Sequence, residues 1–517
     1  MEFIKAVKNT LTVGEIPILL RGFGLGGWLL PEGYMWRLYT KCDRPRKMEA
    51  MIETLCGEQY AATFWQRYFD YYITEKDIEL IAKEGFNSVR LPLNARHLYV
   101  NKNQQLMLSM EMISRIDLLI EWCSRYHLYV ILDMHAAPGG QTGQNIDDSE
   151  KDLPELFMDN SYEEGLIFLW KELAKRYCNN TTVAGYDLLN EPLPNWFSQY
   201  NEQVLPLYWN LIREIREVDK NHMIILEGVH WATDFSIFDT LTKEEAADNL
   251  MLQFHKYWSN PDYESMEAYI KCSERLEVPL FLGESGENNC DWYTTIFPLC
   301  ERLNISWSFW SYKKMECTNS PITFKIPIGW EDLINWIDGT GDLSREKAIV
   351  IFDHFLQCIQ NPDKNITVFR ALKRQTPVRI PSEAYDEYHI CSKKVKGAEL
   401  RSAEPVSILF ENGKIGKVDY KRYGGEEQPI EENIVVQLLS EDSVGYQFYS
   451  EQEEVKFAIV AEGEGRLRVS VNSVDEIIEV KGKGEYITSL KCFPKAKQYL
   501  YLSCIQGVIR LDVINLS

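Results

Sequence analysis

Short apolar runs alternate with longer amphipathic stretches between about residues 16 and 360. Such alternation is typical of repeated βα units around a parallel sheet. The apolar runs predict eight strands: Ile18–Gly24, Phe86–Leu91, Leu128–Asp133, Val183–Leu189, Met223–Glu227, Leu250–Phe254, Leu280–Leu282 and Ile305–Trp310. Apolar residues at a spacing of three to four predict the helices Asp77–Lys83, Met110–Arg125, Tyr162–Tyr177, Pro206–Val218, Met266–Arg275 and Glu346–Cys358. The pattern therefore predicts an α/β fold, a (β/α)8 barrel, rather than a doubly wound sheet.

The composition of the sequence changes after Gln360. A connection between two units is indicated there by Asn361-Pro362-Asp363, Pro377, Pro381 and the polar Lys393–Lys396 region. From about Pro405 onward the chain has short β-rich segments: Val435–Leu439, Val444–Tyr449, Val455–Ala461, Leu467–Val471, Tyr499–Cys504 and Val508–Ile514. We therefore predict a barrel over 1–362, a connection over 363–404 and a smaller β-sandwich over 405–517.

Length and charge narrow the class of protein. A chain of 517 residues exceeds what one hydrophobic core usually organises, so two units are expected. The formal charge of −22, from 55 basic and 77 acidic residues, disfavours nucleic acid and anionic membranes as partners. A neutral saccharide feels little of this charge.

The sequence lacks an apolar stretch of the kind found in signal peptides or membrane spans. Its 12 cysteines stand singly, without the paired spacing of a zinc site, and are interpreted as reduced thiols. We therefore expect a cytoplasmic protein, or a secreted one whose export signal has been removed.

Candidate catalytic chemistry lies just after the apolar runs, because barrel enzymes collect their active sites at the C-terminal ends of the strands. Polar or aromatic residues at these ends are Arg90, His135, Asn190, Glu191, His255, Tyr257, Glu284 and Trp310. Glu191 and Glu284 follow the fourth and seventh predicted strands and can converge across the barrel mouth. Competing carboxylates are Glu32, Glu227 and Glu287, of which Glu227 ends the fifth strand but has no flanking motif.

Two converging carboxyl groups are what acetal cleavage requires, one protonated to serve as acid and one ionised to attack the anomeric carbon. Asn190 offers an amide for a sugar 2-hydroxyl, and Arg90 and Tyr257 could donate hydrogen bonds to Glu284. Trp310 could form an apolar floor for a pyranose ring. Retention of configuration predicts carboxyl groups about 5–5.5 Å apart, and inversion about 6.5–9.5 Å.

The motifs that surround these residues are Arg90-Leu91-Pro92, Asp133-Met134-His135, Asn190-Glu191-Pro192, His255-Lys256-Tyr257, Gly283-Glu284-Ser285 and Trp307-Ser308-Phe309-Trp310. Together they resemble family 5 glycoside hydrolases of the cellulase superfamily, over nearly the whole first 360 residues. The resemblance implies Glu191 as acid/base and Glu284 as nucleophile. It also implies a subsite for the non-reducing sugar formed by Arg90, His135, Asn190, His255, Tyr257 and Trp310, with no metal or organic cofactor.

Two further segments, Gly24–Leu29 and His135–Gln141 with Asp147-Asp148-Ser149, resemble the exo-β-1,3-glucanase branch. Asn145-Ile146 and Glu150–Phe157 depart from that branch, which leaves sugar and linkage open. Gly26-Gly27-Trp28 is interpreted as a tight turn with a packed indole, a contributor to the pocket, or both.

The C-terminal stretch from Gly507 to Leu516 resembles the closing strands of family 6-like carbohydrate-binding modules. Tyr446, Phe448 and Tyr449 are candidates for stacking on sugar there, or for the core of the sandwich.

The resulting expectation is a retaining β-glycoside hydrolase, exo-acting on β-glucosides or short β-glucans through a glycosyl-enzyme intermediate. Alternatives are an endo-acting β-1,4-glucanase or β-mannanase, a transglycosylase with the same residues, and a non-catalytic carbohydrate-binding protein. A metal-dependent hydrolase using His135 and His255 is disfavoured, because their spacing is not a ligand motif.

Overall fold

The computed structural model describes residues 1–39, 41–103, 105–420 and 432–517. The chain forms two compact units. The first contains Met1–Lys256, Ala268–Ser285 and Asn304–Lys364, and the second contains Tyr257–Glu267, Gly286–Leu303 and Asn365–Ser517.

The first unit is built on eight strands that close into a barrel. They are β1 (Arg21–Gly24), β2 (Ser88–Asn94), β3 (Tyr129–Ala136), β4 (Val183–Asp187), β5 (Met223–Glu227), β6 (Leu250–His255), β7 (Leu280–Gly286) and β8 (Ser306–Trp310). Neighbouring strands follow one another in chain order around the barrel, and β8 returns to pair in parallel with β1. The predicted (β/α)8 fold is confirmed.

The burial of the barrel strands explains why they form apolar runs in the sequence. Every residue of β2, β3 and β7 is buried, as expected for parallel strands that are covered on both faces. A three-stranded antiparallel sheet (Ile4–Val7, Thr10–Val13 and Ile16–Ile18) contributes Ile4 and Leu11 to a core cluster that also contains the barrel residues Tyr129, Met223, Met251 and Phe281. These side chains lie near the starts of their strands, so this sheet covers the N-terminal end and leaves the opposite end for chemistry.

The helices of the first unit are Pro45–Cys56, Glu58–Tyr71, Glu75–Lys83, Ala95–Leu98, Met110–Arg125, Asn160–Tyr177, Asn201–Val218, Val229–Ala232, Lys243–Ala246, Glu267–Leu276, Trp330–Asp338 and Arg345–Gln360. Its short 3-10 helices are Gly33–Trp36, Asn145–Asp147, Glu155–Phe157, Asn195–Tyr200 and Ser236–Phe238, and Glu264–Met266 is one in the second unit. Short additional strands are Tyr99–Lys102, Gln105–Leu108, Lys313–Met315, Ile322–Phe324 and Asp363–Lys364. The six predicted helices are present; Met110–Arg125 has the predicted ends, and the other five differ by one to five residues.

The second unit contains the helices Cys290–Arg302 and Ile366–Lys373, a 3-10 turn (Ser382–Ala384) and nine strands that form one hydrogen-bonded sheet. The strands are β9 (Val378–Pro381), β10 (Glu387–His389), β11 (Ser407–Phe410), β12 (Ile434–Leu439), β13 (Ser443–Ser450), β14 (Glu454–Val471), β15 (Val474–Lys481), β16 (Gly484–Lys491) and β17 (Ala496–Leu516).

Two long strands, β14 and β17, connect the halves of this sheet. The first half of β14 pairs with β16 and the second half with β15, while β17 pairs with β13 near its start and with β12 and β9 further on. Glycines mark the bends, since a Cβ at Gly463 or Gly507 would lie within 2.1 Å of a backbone oxygen on the facing strand. Bent strands that pass from one layer to another are typical of an orthogonal sandwich.

Residues 363–404 are more than a connection within the second unit. Val378–Pro381 pairs with β17 and Glu387–His389 pairs with β13, so this segment supplies edge strands of the sheet. The prolines that indicated a linker stand at strand and turn boundaries instead, where a missing backbone N–H is tolerated.

Tyr446 and Phe448 belong to the core of the second unit. Both side chains are buried, and the Phe448 ring meets the Phe457 ring edge-on at 5.8 Å. Tyr449 is half-buried. Neither Tyr446 nor Phe448 can therefore serve as a stacking surface for sugar.

All 12 cysteines are free thiols. Across the described ranges, no helix has both the length and the apolar character that crossing a membrane would need.

Candidate active site

A fully buried arginine forms the centre of the site at the C-terminal end of the barrel. Arg90, on β2, lies 2.6 Å from Glu284 Oε1 through Nη1 and 2.8 Å from Asn190 Oδ1 through Nη2. Its other partners are Asp187, Glu227 and Asp133, at 2.8, 3.1 and 3.1 Å. One guanidinium on β2 therefore fixes groups from β3, β4, β5, β7 and the loop after β4, because its planar fork can donate in several directions at once.

The two predicted catalytic carboxylates face each other. An oxygen of Glu191, a ring nitrogen of His255 and an oxygen of Glu284 all lie within 4.8 Å of one another. His255 Nδ1 lies 2.7 Å from Glu191 Oε1 and 3.7 Å from Glu284 Oε2. The Nδ1 atom is thus within hydrogen-bond distance of Glu191 and within ion-pair distance of Glu284.

Glu191 sits on a strained turn. Its φ is 45°, and Leu193 two residues later has φ 56°, a left-handed conformation that costs a non-glycine residue roughly 1–2 kcal/mol. Backbone contacts hold the turn: the Glu191 N–H donates to Glu227 at 2.6 Å, and the His230 N–H donates to the Leu193 carbonyl at 2.9 Å. Gln141 donates to the Asn190 carbonyl at 2.8 Å. The surrounding fold therefore determines where the Glu191 carboxyl points.

Glu227, at the end of β5, contacts the backbone and side chains around the two predicted catalytic carboxylates. It is fully buried and accepts hydrogen bonds from the Glu191 backbone, from Arg90 and from Gln253. His255 Nε2 also lies 3.4 Å from Glu227. Through these hydrogen bonds Glu227 fixes the positions of the Glu191 backbone, Arg90 and Gln253.

A flat aromatic wall closes the side of the site formed by β8, β1 and β3. The Trp310 ring is nearly parallel to the His135 ring, with centroids 5.2 Å apart and planes at 5°. Trp310 Nε1 donates to the Tyr34 hydroxyl at 2.9 Å, and His135 Nδ1 lies 2.8 Å from Asp133.

Glycines let the backbone approach Trp310. A Cβ at Gly24 or Gly26 would lie 2.5 or 2.8 Å from the indole ring, closer than contact allows. Trp28 is a buried indole that donates to the Phe69 carbonyl at 2.8 Å. The segment Gly26-Gly27-Trp28 therefore contains both a packed indole, Trp28, and a glycine, Gly26, that lies against the Trp310 ring.

Neighbouring carboxylates raise the pKa of both imidazoles. Burial alone would lower the pKa of His135, but the charges of Asp133 and Glu284 outweigh it and raise that pKa to about 9. Burial would also lower the pKa of His255, but the charges of Glu227 and Glu284 outweigh that effect and raise this pKa well above its usual value. Burial, together with the charge of Glu227, raises the pKa of Asp187 well above the usual range of a carboxyl. Raised pKa values are thus common to three groups around the predicted catalytic carboxylates.

The spacing of Glu191, His255 and Glu284 would also suit a small cation on geometric grounds alone. Arg90, however, already places a positive charge 2.6 Å from Glu284, and an imidazolium at His255 adds another. Two cations beside the same carboxylates oppose a third, so the donor set fits proton transfer better than metal binding.

Two tryptophans, the exposed Trp196 and the half-buried Trp231, follow strands β4 and β5. Trp196, 60% exposed, lies on the 3-10 turn after Glu191, and its ring meets the Trp231 ring edge-on at 6.1 Å. Trp231 belongs to a left-handed run, His230 to Ala232, with φ between 55° and 63°. These rings border the loop of the predicted acid, where a leaving group would emerge.

The structure brings together Arg90, His135, Asn190, Glu191, His255, Glu284 and Trp310. Tyr257 lies in the second unit, as does Glu287, and Glu32 is a buried residue of the first unit. Asp187 and Gln253 were not among the site residues predicted from the sequence. Glu227 was considered only as a competing candidate for a catalytic carboxylate. An acidic or amide residue inside an otherwise apolar strand is the signal that could have found them.

A barrel whose strand ends bring two carboxylates together beside a buried arginine is the architecture of an O-glycosyl hydrolase. The chain matches the family model "Cellulase (glycosyl hydrolase family 5)" over residues 51–316. This chain belongs to glycosyl hydrolase family 5.

Curated relatives have several names. A "Beta-xylosidase" from Phanerodontia chrysosporium is 31% identical over 240 residues, which cover 46% of this chain and 48% of that protein. "Glucan 1,3-beta-glucosidase 2" from Saccharomyces cerevisiae is 30% identical over 314 residues, covering 52% and 55%. "Endoglucanase C" from Acetivibrio thermocellus is 26% identical over 313 residues, covering 49% and 88%. The chain thus spans about half the length of the first two.

Proposed function

We propose that this protein is a retaining β-glycoside hydrolase that removes terminal sugar from β-glucosides or short β-glucans. The observation that carries the proposal is the approach of Glu191 and Glu284 oxygens to within 4.8 Å. That spacing suits a pair in which one carboxylate attacks the sugar directly, because an inverting pair needs room for a water between its members.

In the first step a Glu284 oxygen forms a bond to the anomeric carbon while the glycosidic C–O bond breaks. The Glu191 carboxyl gives its proton to the departing oxygen, so the leaving group departs as a neutral alcohol. Arg90, 2.6 Å from Glu284, holds the nucleophile in position through a charge-assisted hydrogen bond.

In the second step a water gives a proton to Glu191 while its oxygen bonds to the anomeric carbon, and the ester bond to Glu284 breaks. Both carboxyl groups return to their starting states. His255, 2.7 Å from Glu191, is placed to hydrogen-bond the Glu191 carboxylate while that group waits for the proton of the incoming water.

Exo-action is supported by fixed walls around the site. Gln141 donates to the His135 and Asn190 carbonyls and accepts from the Ala137 N–H, which ties the loop after β3 to the catalytic residues. Asp147 accepts three backbone N–H groups of the same loop, at 2.6–2.9 Å. Buried loops held in this way favour a closed pocket for one sugar over an open cleft.

The roles of the two carboxylates are separated by rescue with azide. In Glu191→Ala, azide attacks the glycosyl-enzyme from the face that water uses, so the expected product is a β-glycosyl azide. In Glu284→Ala, azide takes the place of the nucleophile, and the expected product is an α-glycosyl azide. NMR of the products from an activated aryl β-glucoside distinguishes the anomers.

Glu227→Ala provides the matched control, because it removes a neighbouring buried carboxylate of the same type. It should yield no glycosyl azide of either anomer above the wild-type background. Exchange of the two products between Glu191→Ala and Glu284→Ala would reverse the assignment, and rescue in Glu227→Ala would move one role there.

The second candidate is endo-action, which the name of the endoglucanase relative favours. Digestion of a laminari-oligosaccharide series labelled at the reducing end separates the alternatives. Exo-action releases glucose and a labelled chain one unit shorter at the earliest times. Labelled internal fragments at those times would establish endo-action instead.

A further inference from the structure

Two tyrosines on the second unit form an exposed aromatic surface. Tyr499 and Tyr501 stand two residues apart on β17 and therefore point to the same side of the sheet. They are 38% and 36% exposed, while Leu500 and Leu502 beside them are fully buried on the opposite side. The ring centroids lie 6.4 Å apart and the planes differ by 18°.

Both tyrosine rings lie flat against the surface of the sheet. Gly445 of β13 is the direct partner of Tyr501, and a Cβ at this glycine would lie 2.7 Å from the Tyr501 ring. The Tyr501 hydroxyl donates to Glu387 of β10 at 2.8 Å, one strand beyond Gly445. Gln447 holds the Tyr499 hydroxyl from the same side, at 2.9 Å. Each ring thus has one face on the sheet and the other towards solvent.

Polar side chains surround the rings. Ser470 of β14 is the cross-strand partner of Tyr501, and Arg468 two residues earlier lies 3.4 Å from Asp475 of β15. Arg468 and Asp475 are about half exposed, at 48% and 52%. Glu387 and Gln447 complete a rim of hydrogen-bond donors and acceptors of both signs, which suits a neutral, hydroxyl-rich ligand.

The size of the surface argues for a small, flat ligand. A tyrosine buries about 150–250 Å² even when it is covered completely. Two half-exposed tyrosines therefore offer far less than the roughly 800 Å² that each partner contributes to a stable protein interface. A pyranose ring of a β-linked glucan has a flat face of C–H groups and an edge of hydroxyls, which match the rings and their rim.

We infer that Tyr499 and Tyr501 form an auxiliary binding platform for β-linked glucan chains, separate from the catalytic carboxylates. The choice of glucan as the ligand rests on the proposed function. Successive sugars stack on successive tyrosines, and the rim residues hydrogen-bond the hydroxyl edges.

The test uses the full chain with Glu284→Gln, so that the polymer is bound but not cut. Affinity electrophoresis and calorimetry measure the dissociation constant for laminarin, a soluble β-1,3-glucan, with dextran, an α-linked glucan, as the comparison polymer. Replacing both tyrosines by alanine should raise the laminarin dissociation constant at least about tenfold. Phe493→Ala is the matched control, because Phe493 is an exposed aromatic residue of the same unit at 63% exposure.

Replacing both tyrosines by phenylalanine keeps the ring faces and should retain laminarin binding within about threefold. If the double alanine variant does not fold, each single alanine variant should weaken binding by at least about threefold. Equal laminarin affinity in the alanine and parent proteins, or an equal loss for dextran, would overturn the platform.

Hydrolysis of an aryl β-glucoside by the wild-type chain separates this result from the proposed function. Hydrolysis with unchanged laminarin binding in the alanine variants refutes the platform alone. Absent hydrolysis with weakened laminarin binding in those variants refutes the proposed function and leaves the platform standing.

Discussion

Gly26→Ala tests whether the position of Trp310 controls turnover. A Cβ at Gly26 would lie 2.8 Å from Cη2 and Cζ2 of the Trp310 ring and 2.9 Å from Met35 Cε, whereas ordinary contact begins at 3.4 Å. The indole must therefore retreat by about 0.6 Å or the Met35 side chain must move. Gly26 has no left-handed φ, so alanine adds no backbone strain.

The ring has little freedom to retreat, because its Nε1 bonds Tyr34 at 2.9 Å and its face lies along His135. A displacement of about 1 Å near reacting groups costs roughly 100-fold in rate, so we expect kcat/KM for an aryl β-glucoside to fall about 10- to 100-fold. Overpacking should also cost about 1–3 kcal/mol of unfolding free energy.

Steady-state kinetics, urea unfolding and tryptophan fluorescence measure these effects. Gly484→Ala is the control, since the nearest atom to its added Cβ is 3.9 Å away. Gly24→Ala, where the contact is 2.5 Å, should be the more severe change. Unchanged kcat/KM in both Gly26→Ala and Gly24→Ala would refute the role of Trp310 as a wall of the sugar site.

Three further predictions concern the buried charges. Arg90→Lys leaves fewer hydrogen-bond donors for Glu284, Asp187, Glu227 and Asn190. We therefore expect kcat to fall at least about 100-fold and the free energy of unfolding to fall by about 3–5 kcal/mol. A loss below fivefold in kcat would contradict this expectation. Glu227→Gln removes a charge that raises the pKa of His255, so the NMR titration of the His255 imidazole should move to lower pH; a titration that stays in place or moves upward would contradict the coupling. The pKa of His135 is raised to about 9, so its stabilising proton is fully present below about pH 6.5 and is lost as pH rises through about 9. Over that window the wild-type free energy of unfolding should fall by about 3 kcal/mol more than that of His135→Gln, and parallel urea-unfolding profiles would contradict it.

The barrel could be predicted from the sequence because its strands are short apolar runs buried on both faces. Met223–Glu227 and Met110–Arg125 have the same ends in the pattern and in the structure. The strands β3 and β7 run further than predicted, to Ala136 and Gly286, because polar residues inside them interrupt the apolar run. These polar residues are part of the site, so the error falls where chemistry overrides the hydrophobic pattern.

The buried network was harder to predict from sequence. Asp187 and Gln253 stand inside strands, where a single sequence offers no partner for them, and only closure of the barrel places them near Arg90 or Glu227. The helices Pro45–Cys56 and Glu58–Tyr71 were also missed, although Pro45 and Gly57 mark their starts. The pairing of β9 and β10 with distant strands likewise depends on contacts that local composition does not reveal.

The central claim is that Glu284 becomes covalently bonded to the sugar. A 2-deoxy-2-fluoro-β-glucoside with a good leaving group slows the second step, so the intermediate accumulates and can be digested and sequenced by mass spectrometry. The account predicts one fluoroglucosyl group per chain, attached to Glu284, in wild type and in Glu227→Gln. Labelling of Glu191 or Glu227, or turnover of activated β-glucosides with no labelled peptide, would contradict it.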